Sequence, residues 1–323
     1  MALPPPVLVL LSVLLVPLVL TLDFRLWTLD FGLWTLDSMP PFGAHLSIAG
    51  GVSRSVDRAR AVGCDCLQIF VKPPQQWKFQ NLDAAEIARF RAAVREAGLR
   101  PVVGHASYLL NLASPDRSLY EKSIACLRTE WDRADALGLA GLVLHPGSHV
   151  GSGVEEGLAR VGRALKRLAA DRPDRATPIL LETTAGAGST LCGRFEHLAA
   201  LFDACADGPP LGLAIDTCHL WAAGYDVRTA KGLNATLAEL DERVGLSRLA
   251  VVHANDAKGD LGSGLDRHEH IGRGQIGRAA FRRMVHHPAL RPVPFILETP
   301  KEDARGRAMD PVNLRTLRRL VKR

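Results

Sequence analysis

The chain has 323 residues, 47% hydrophobic and 23% charged, which leaves ample apolar surface for a large core and excludes a disordered or low-complexity protein. With 40 Lys and Arg against 34 Asp and Glu the formal net charge is +6, and setting residues 1–38 aside leaves 39 basic and 31 acidic side chains. That balance favours a polyanionic partner such as nucleic acid.

The N-terminal segment comes first. Val7 to Leu20 is almost wholly apolar, but no Lys or Arg precedes it and the run is shorter than the roughly 18 residues of a spanning helix, so neither an export signal nor a membrane anchor is well formed. Thr21-Leu-Asp-Phe-Arg-Leu-Trp then repeats as Thr28-Leu-Asp-Phe-Gly-Leu-Trp and begins again at Thr35. We read residues 1–38 as a leader outside the folded domain, translated from a repeat upstream of the true start at Met39, and residues 39–323 as one domain. The expectations that follow are a cytoplasmic monomer with no membrane contact.

From Gly43 onward, short runs rich in β-branched residues alternate with helical patterns. Strands are predicted over 43–47, 66–70, 101–105, 141–145, 178–183, 212–216, 249–253 and 295–298. Helices are predicted between and after them, over 53–62, 84–97, 117–137, 155–170, 195–206, 229–244, 278–285 and 311–321, with Asp83, Gly98, Gly138 and Pro173 at helix ends. Eight strands, each followed by a helix, make one (β/α)₈ TIM barrel of the α/β class.

In such barrels chemistry is built at the C-terminal ends of the strands. Here those ends carry His45, His105, His145, Glu182, Asp216, His253 and Glu298 in turn. The second strand instead leads into a Lys72-Pro-Pro loop. A single histidine at a strand end more often satisfies a hydrogen bond than binds metal, but so many acids and imidazoles on one rim would be costly to bury without a cation. Asp216-Thr-Cys-His219 and Asp266-Arg-His268 add further ligand types, the second spaced to chelate one ion from an extended loop. Imidazole and carboxylate ligation without cysteine suits zinc or manganese, and the high share of imidazole favours zinc.

The six cysteines form no C-x-x-C pair and read as reduced core thiols. Only Cys218 lies inside a chemical motif, and its neighbours suffice as ligands. Gly272-Arg-Gly-Gln-Ile-Gly277 matches a dinucleotide fingerprint, but the segment before it reads as a charged loop rather than a strand. We therefore expect no nucleotide cofactor, while the loop's backbone N–H groups remain a possible phosphate cradle. Trp131 and Trp221 read as packing, and His197, His286 and His287 receive no role.

The segments Gly43-Ala-His-Leu-Ser, Gly104-His-Ala-Ser-Tyr-Leu-Leu-Asn-Leu, Leu144-His-Pro-Gly-Ser-His, Leu181-Glu-Thr-Thr-Ala-Gly-Ala-Gly-Ser, Ile215-Asp-Thr-Cys-His, His253-Ala-Asn-Asp-Ala-Lys, Asp266-Arg-His and Ile296-Leu-Glu-Thr together resemble the endonuclease IV family of apurinic/apyrimidinic (AP) endonucleases, over about residues 42–320. The resemblance implies a base-excision-repair enzyme with three zinc ions that cuts double-stranded DNA 5′ to an abasic site, leaving a 3′-hydroxyl and a 5′-deoxyribose phosphate. It implies that His105, His145 and Glu182 hold the first ion, that Glu182, Asp216, His253 and Glu298 hold the second, and that His219, Asp266 and His268 hold the third. Glu182 would bridge, and Glu298 would also accept a proton. Tyr108 matches a tyrosine that the family inserts beside the lesion. Lys72, Lys258, Arg267 and Arg273 are the phosphate contacts we expect. This chain departs from the family where the loop after the second strand carries Asn-x-Arg, because Gln75 stands in place of the arginine. A sugar isomerase or epimerase barrel is the rival, and the third ligand set counts against it.

Overall fold

In the computed structural model, residues 39–79 and 81–322 are described, so the apolar run and the heptapeptide repeat lie outside the described residues. Eight short strands, nearly all buried, pair in parallel and close on themselves. They are β1 (Phe42–Leu46), β2 (Cys66–Phe70), β3 (Val102–His105), β4 (Leu142–Leu144), β5 (Ile179–Glu182), β6 (Leu211–Asp216), β7 (Leu249–His253) and, after a two-stranded ribbon of β8 (Asp256–Ala257) and β9 (His268–Glu269), β10 (Phe295–Leu297). β1 pairs with both β2 and β10, which closes the barrel. Strands covered on both faces read as continuous apolar runs, which is why they were visible in the sequence.

The outer layer comprises α1 (Ser53–Val62), α2 (Ala84–Ala97), α3 (Arg117–Leu137), α4 (Val154–Asp171), α5 (Phe195–Ala204), the short α6 (Thr217–Ala222), α7 (Ala230–Arg243), α8 (Arg278–His286) and α9 (Asp310–Val321). Local chemistry sets their ends. Asp83 accepts from the Glu86 N–H and Asp116 from the Leu119 N–H, while Gly98 and Gly138 stop their helices at φ 65° and 69°, a conformation that costs a side chain but not glycine. Trp131 and Trp221 are buried, as expected of packing residues, and each indole N–H donates to a backbone carbonyl, of Thr177 and Gly259 respectively.

Among the elements that escaped the sequence reading, α6 and the β8–β9 ribbon lie at the rim. α6 is a six-residue helix that the Asp216 carboxylate caps through the N–H groups of Cys218 and His219. The β8–β9 ribbon pairs Ala257 with His268, where the sequence suggested only a loop, and it carries Asp266 and His268 over the barrel mouth. Both are too short to show a hydrophobic period. Among the described residues no helix is long and apolar enough to cross a membrane.

Candidate metal centre

Strand register sets the level of the rim residues. On adjacent strands His45 pairs with Gln68, Phe70 with His105, and Asp216 with His253, the last after a register shift at Leu213 and Ala214. Such a shift re-aims the side chains beyond it. His145 and Glu298 stand one residue past the ends of β4 and β10.

All nine expected ligands converge. His105, His145 and Glu182 form one group, Glu182, Asp216, His253 and Glu298 a second, and His219, Asp266 and His268 a third, with candidate donor atoms within 4.8 Å of one another in each. Glu182, fully buried on β5, belongs to two groups. Its Oε2 lies 2.7 Å from His145 Nε2 and 3.4 Å from His105 Nε2. Its Oε1 lies 2.8 Å from His253 Nδ1 and 3.5 Å from His219 Nδ1.

The imidazoles are oriented from outside the centre. His105, His219 and His268 each direct Nδ1 at a main-chain carbonyl, those of Ala106 (2.6 Å), Thr183 (2.8 Å) and Glu298 (3.1 Å), so Nδ1 donates and Nε2 is the nitrogen turned inward. This is how metal-binding histidines are commonly held. Asn255 does the same for the acids, donating to Asp216 Oδ2 at 2.6 Å while its carbonyl oxygen accepts the Glu298 N–H. Asn255 and Gln68 touch the candidate ligands and were missed by the sequence reading; the signal available was an amide inside an otherwise apolar strand or two residues past one.

Charge is concentrated here without solvent to disperse it. Burial alone would raise the Glu182 and Glu298 carboxyls, but the fields of the neighbouring imidazoles, His145 and His253 for Glu182 and His253 for Glu298, hold both below the usual range. Burial likewise opposes protonation of His253 and His268, yet the field of Glu298 on the first and of Asp216 on the second raises each to about 9. Protons on imidazole thus balance the carboxylates where cations could. The decisive observation concerns fit. The buried atoms His105 Nε2, His268 Nε2 and Glu182 Oε2 have no aligned hydrogen-bond partner, although carboxylate or imidazole atoms lie close to each. Unpaired donor atoms at one focus suit divalent cations and are costly otherwise. Cys218 lies within reach of Asp216 and His268, but burial and the Asp216 charge push its thiol up to about 12, so it stays neutral beside better ligands.

Likenesses to known proteins bear on this site. The family described as a xylose isomerase-like TIM barrel matches residues 56–320. A protein of Chloroflexus aggregans named "Probable endonuclease 4" is 49% identical over 284 residues, covering 88% of this chain and 99% of that one. The protein of the same name from Geobacter sulfurreducens is 43% identical, over 87% and 94%. The crystal structure of endonuclease IV from Thermus thermophilus is 42% identical, with a TM-score of 0.76 and coverage of 88% and 99%. The chain belongs to the endonuclease IV family of AP endonucleases. Sugar epimerases also share the barrel, for example D-tagatose 3-epimerase-like protein at 20% identity and a TM-score of 0.64; that likeness concerns the fold alone. The endonuclease IV assignment therefore displaces the sugar isomerase reading.

The remaining expected residues separate. Tyr108 is 61% exposed, with its ring 5.2 Å from that of His105 and 6.0 Å from that of His145, so it overhangs the centre. Gln75, Lys258, Arg267 and Arg273 are exposed on rim loops. Lys72 is not. It is buried, with Nζ 3.1 Å from Glu130 Oε1 and 2.7 Å from the Gln76 carbonyl oxygen, and the expected phosphate contact is corrected to an internal ion pair. The Gly272–Gly277 loop is no phosphate cradle either. The N–H groups of Gly272, Ile276 and Gly277 all donate to the Asp256 carboxylate. Gly274 is required because a Cβ there would come within 2.3 Å of the Ala257 carbonyl oxygen. His197 and His287 accept the backbone N–H groups of Cys192 and Ala289, and His286 Nε2 meets the Leu320 carbonyl oxygen at 3.1 Å, tying α8 to α9.

Proposed function

We propose that this chain is a zinc-dependent DNA-repair endonuclease that hydrolyses the phosphodiester 5′ to an abasic site in double-stranded DNA, leaving a 3′-hydroxyl and a 5′-deoxyribose phosphate. The observation that supports it most is the shared carboxylate of Glu182, which faces two ligand groups at once while a third lies beside them. A centre of that size exceeds what moving a proton on a sugar requires and suits a phosphate with charge on several oxygens. Residues 39–323 would carry the activity, as a cytoplasmic monomer acting on the nucleoid.

In this reading His105, His145 and Glu182 hold one zinc, Glu182, Asp216, His253 and Glu298 a second, and His219, Asp266 and His268 a third. When bound, the ions supply Lewis acidity, lowering the pKa of water toward about 7 and neutralising charge on the phosphate and departing oxygen. Every other task falls to the protein. The two oxygens of Glu182 fix the separation of two ligand groups. Glu298, held by His45 at 3.1 Å on Oε1, would accept the proton of the attacking water as well as serve as a ligand. No side chain becomes a covalent nucleophile. The Tyr108 ring presents an aromatic face where a base stack opens, and Gln75 offers an amide in place of a charge to a base edge. Lys258, Arg267 and Arg273 surround the mouth with positive charge for phosphates.

The test is incision of a duplex carrying one tetrahydrofuran abasic analogue by residues 39–323, before and after prolonged chelation. The expected result is a single cut 5′ to the lesion, lost on chelation and restored by zinc. A folded, zinc-loaded protein that leaves the duplex intact would overturn the reading.

A further inference from the structure

Seven strands of the barrel bring an acid or an imidazole to the rim, and β2 does not. What β2 supplies is Gln68, wholly buried in the sequence Cys-Leu-Gln-Ile-Phe. Its amide nitrogen lies 2.5 Å from Glu298 Oε1 and 3.0 Å from His45 Nδ1, and its amide oxygen lies 2.8 Å from His253 Nε2. A carboxylate can only accept, so the atom facing Glu298 must be the nitrogen, and the orientation of the amide follows from chemistry. The oxygen facing His253 can only accept in turn. Nε2 of His253 therefore carries hydrogen.

That sets His253 apart. His105, His219 and His268 give Nδ1–H to main-chain carbonyls and turn Nε2 toward the centre. His253 is reversed, with Nδ1 directed at Glu182 Oε1 (2.8 Å) and Glu298 Oε2 (3.4 Å). We infer that Gln68 is a positioning residue for the second ligand group, selecting the His253 tautomer whose Nδ1 is open to an ion and holding Glu298 against the same ion. The inference rests on the metal reading above.

Without the amide, Nε2–H of His253 would be left buried with no acceptor, and the alternative tautomer becomes the better satisfied one. It places hydrogen on Nδ1 and donates it to Glu182 at the existing 2.8 Å, which blocks the nitrogen that should bind. Glu298 simultaneously loses a donor on Oε1. Both effects weaken the same site, and the other two groups keep their carbonyl-anchored histidines.

The experiment compares the native chain with Gln68→Met, which keeps the length but not the amide, and Gln68→Glu, which keeps an oxygen facing His253 but loses the donor to Glu298. Zinc is titrated against a competing chelator, and retained metal is counted after dialysis. The expected result for Gln68→Met is binding about 10- to 100-fold weaker at one of three sites, with the other two little changed, and with no recovery in Gln68→Glu, whose second carboxylate oxygen faces Glu298 where the amide nitrogen donates. Long-range ¹H–¹⁵N spectra of the zinc-loaded native protein should show His253 carrying its hydrogen on Nε2 while His105, His219 and His268 carry theirs on Nδ1. Three sites of native affinity in Gln68→Met would overturn the inference and leave the metal reading standing. So would hydrogen on Nδ1 of His253, a result that needs no folded variant. A native protein that binds no zinc would overturn both.

Discussion

Nζ of Lys72 and Oε1 of Glu130 lie 3.1 Å apart with both side chains shut off from solvent. The pair ties two loops together, because Glu130 Oε2 also accepts the Ser107 N–H (2.8 Å), and Lys72 reaches the Gln76 carbonyl (2.7 Å). The first loop carries Gln75 and the second Tyr108. Removing one member strands a charge in the interior, so Lys72→Met should cost about 3–5 kcal/mol in urea unfolding, and adding Glu130→Gln should return much of it. The salt dependence of DNA binding should not change in either protein. A stable Lys72→Met with a flatter salt slope would mean that this lysine reaches phosphate after all.

The centre couples metal binding to pH. In the metal-free protein burial is outweighed by the fields of the neighbouring acids, Glu298 on His253 and Asp216 on His268, which leave both imidazoles at about 9. A histidine whose folded pKa lies above its unfolded value of about 6.5 contributes stability that is fully present below the unfolded pKa and is lost as pH rises through the folded one. Chelator-treated protein should thus melt at a lower temperature at about pH 9.5 than at about pH 6.5, while zinc should bind more tightly across the same interval as it displaces fewer protons. A flat melting profile for the metal-free protein between these limits would contradict this.

Arg267, Arg273 and Lys258 are exposed near the mouth, where Lys258 has Glu269 3.9 Å away and Arg267 donates to the Asp266 carbonyl oxygen. Each residue that meets a DNA phosphate should, when changed to alanine, lower the slope of log binding constant against log salt by about 0.9. Gel-shift titrations over a range of salt concentrations would measure it. An unchanged slope removes that residue from the DNA interface.

Asp256 is buried beneath the Gly272–Gly277 turn and accepts N–H groups from Gly272, Ile276 and Gly277 at 2.9–3.2 Å. Bonds to a charged acceptor contribute about 1.5–3 kcal/mol each. Asp256→Ala should therefore destabilise the protein by several kcal/mol, and should loosen the neighbouring β8–β9 ribbon that presents Asp266 and His268. Hydrogen exchange of the Gly272 and Ile276 amides is the direct measurement; protection equal to the native protein's would sink the assignment.

Much of this protein was legible in its residue order. Strands β2 and β7 and helices α1, α2 and α3 begin and end where the apolar period and the caps place them, because a barrel strand buried on both faces and a helix ended by glycine each announce themselves locally. The nine candidate ligands were legible for the same reason: each stands at or just beyond a strand end or in a short chelating spacing. What sequence could not decide was which way a polar group faces. Lys72 reads as a rim cation and is an interior one, since only the packing of α3 brings Glu130 to it. Gly272–Gly277 reads as a turn with free N–H groups, and only the ribbon's path puts the Asp256 carboxylate beneath them. Gln68 reads as an odd residue in an apolar strand, and only closure of the barrel sets its amide between Glu298 and His253. Patterns of period and punctuation are properties of neighbours along the chain; hydrogen-bond partners 185 or 230 positions apart, as for Gln68, are chosen when the sheet closes.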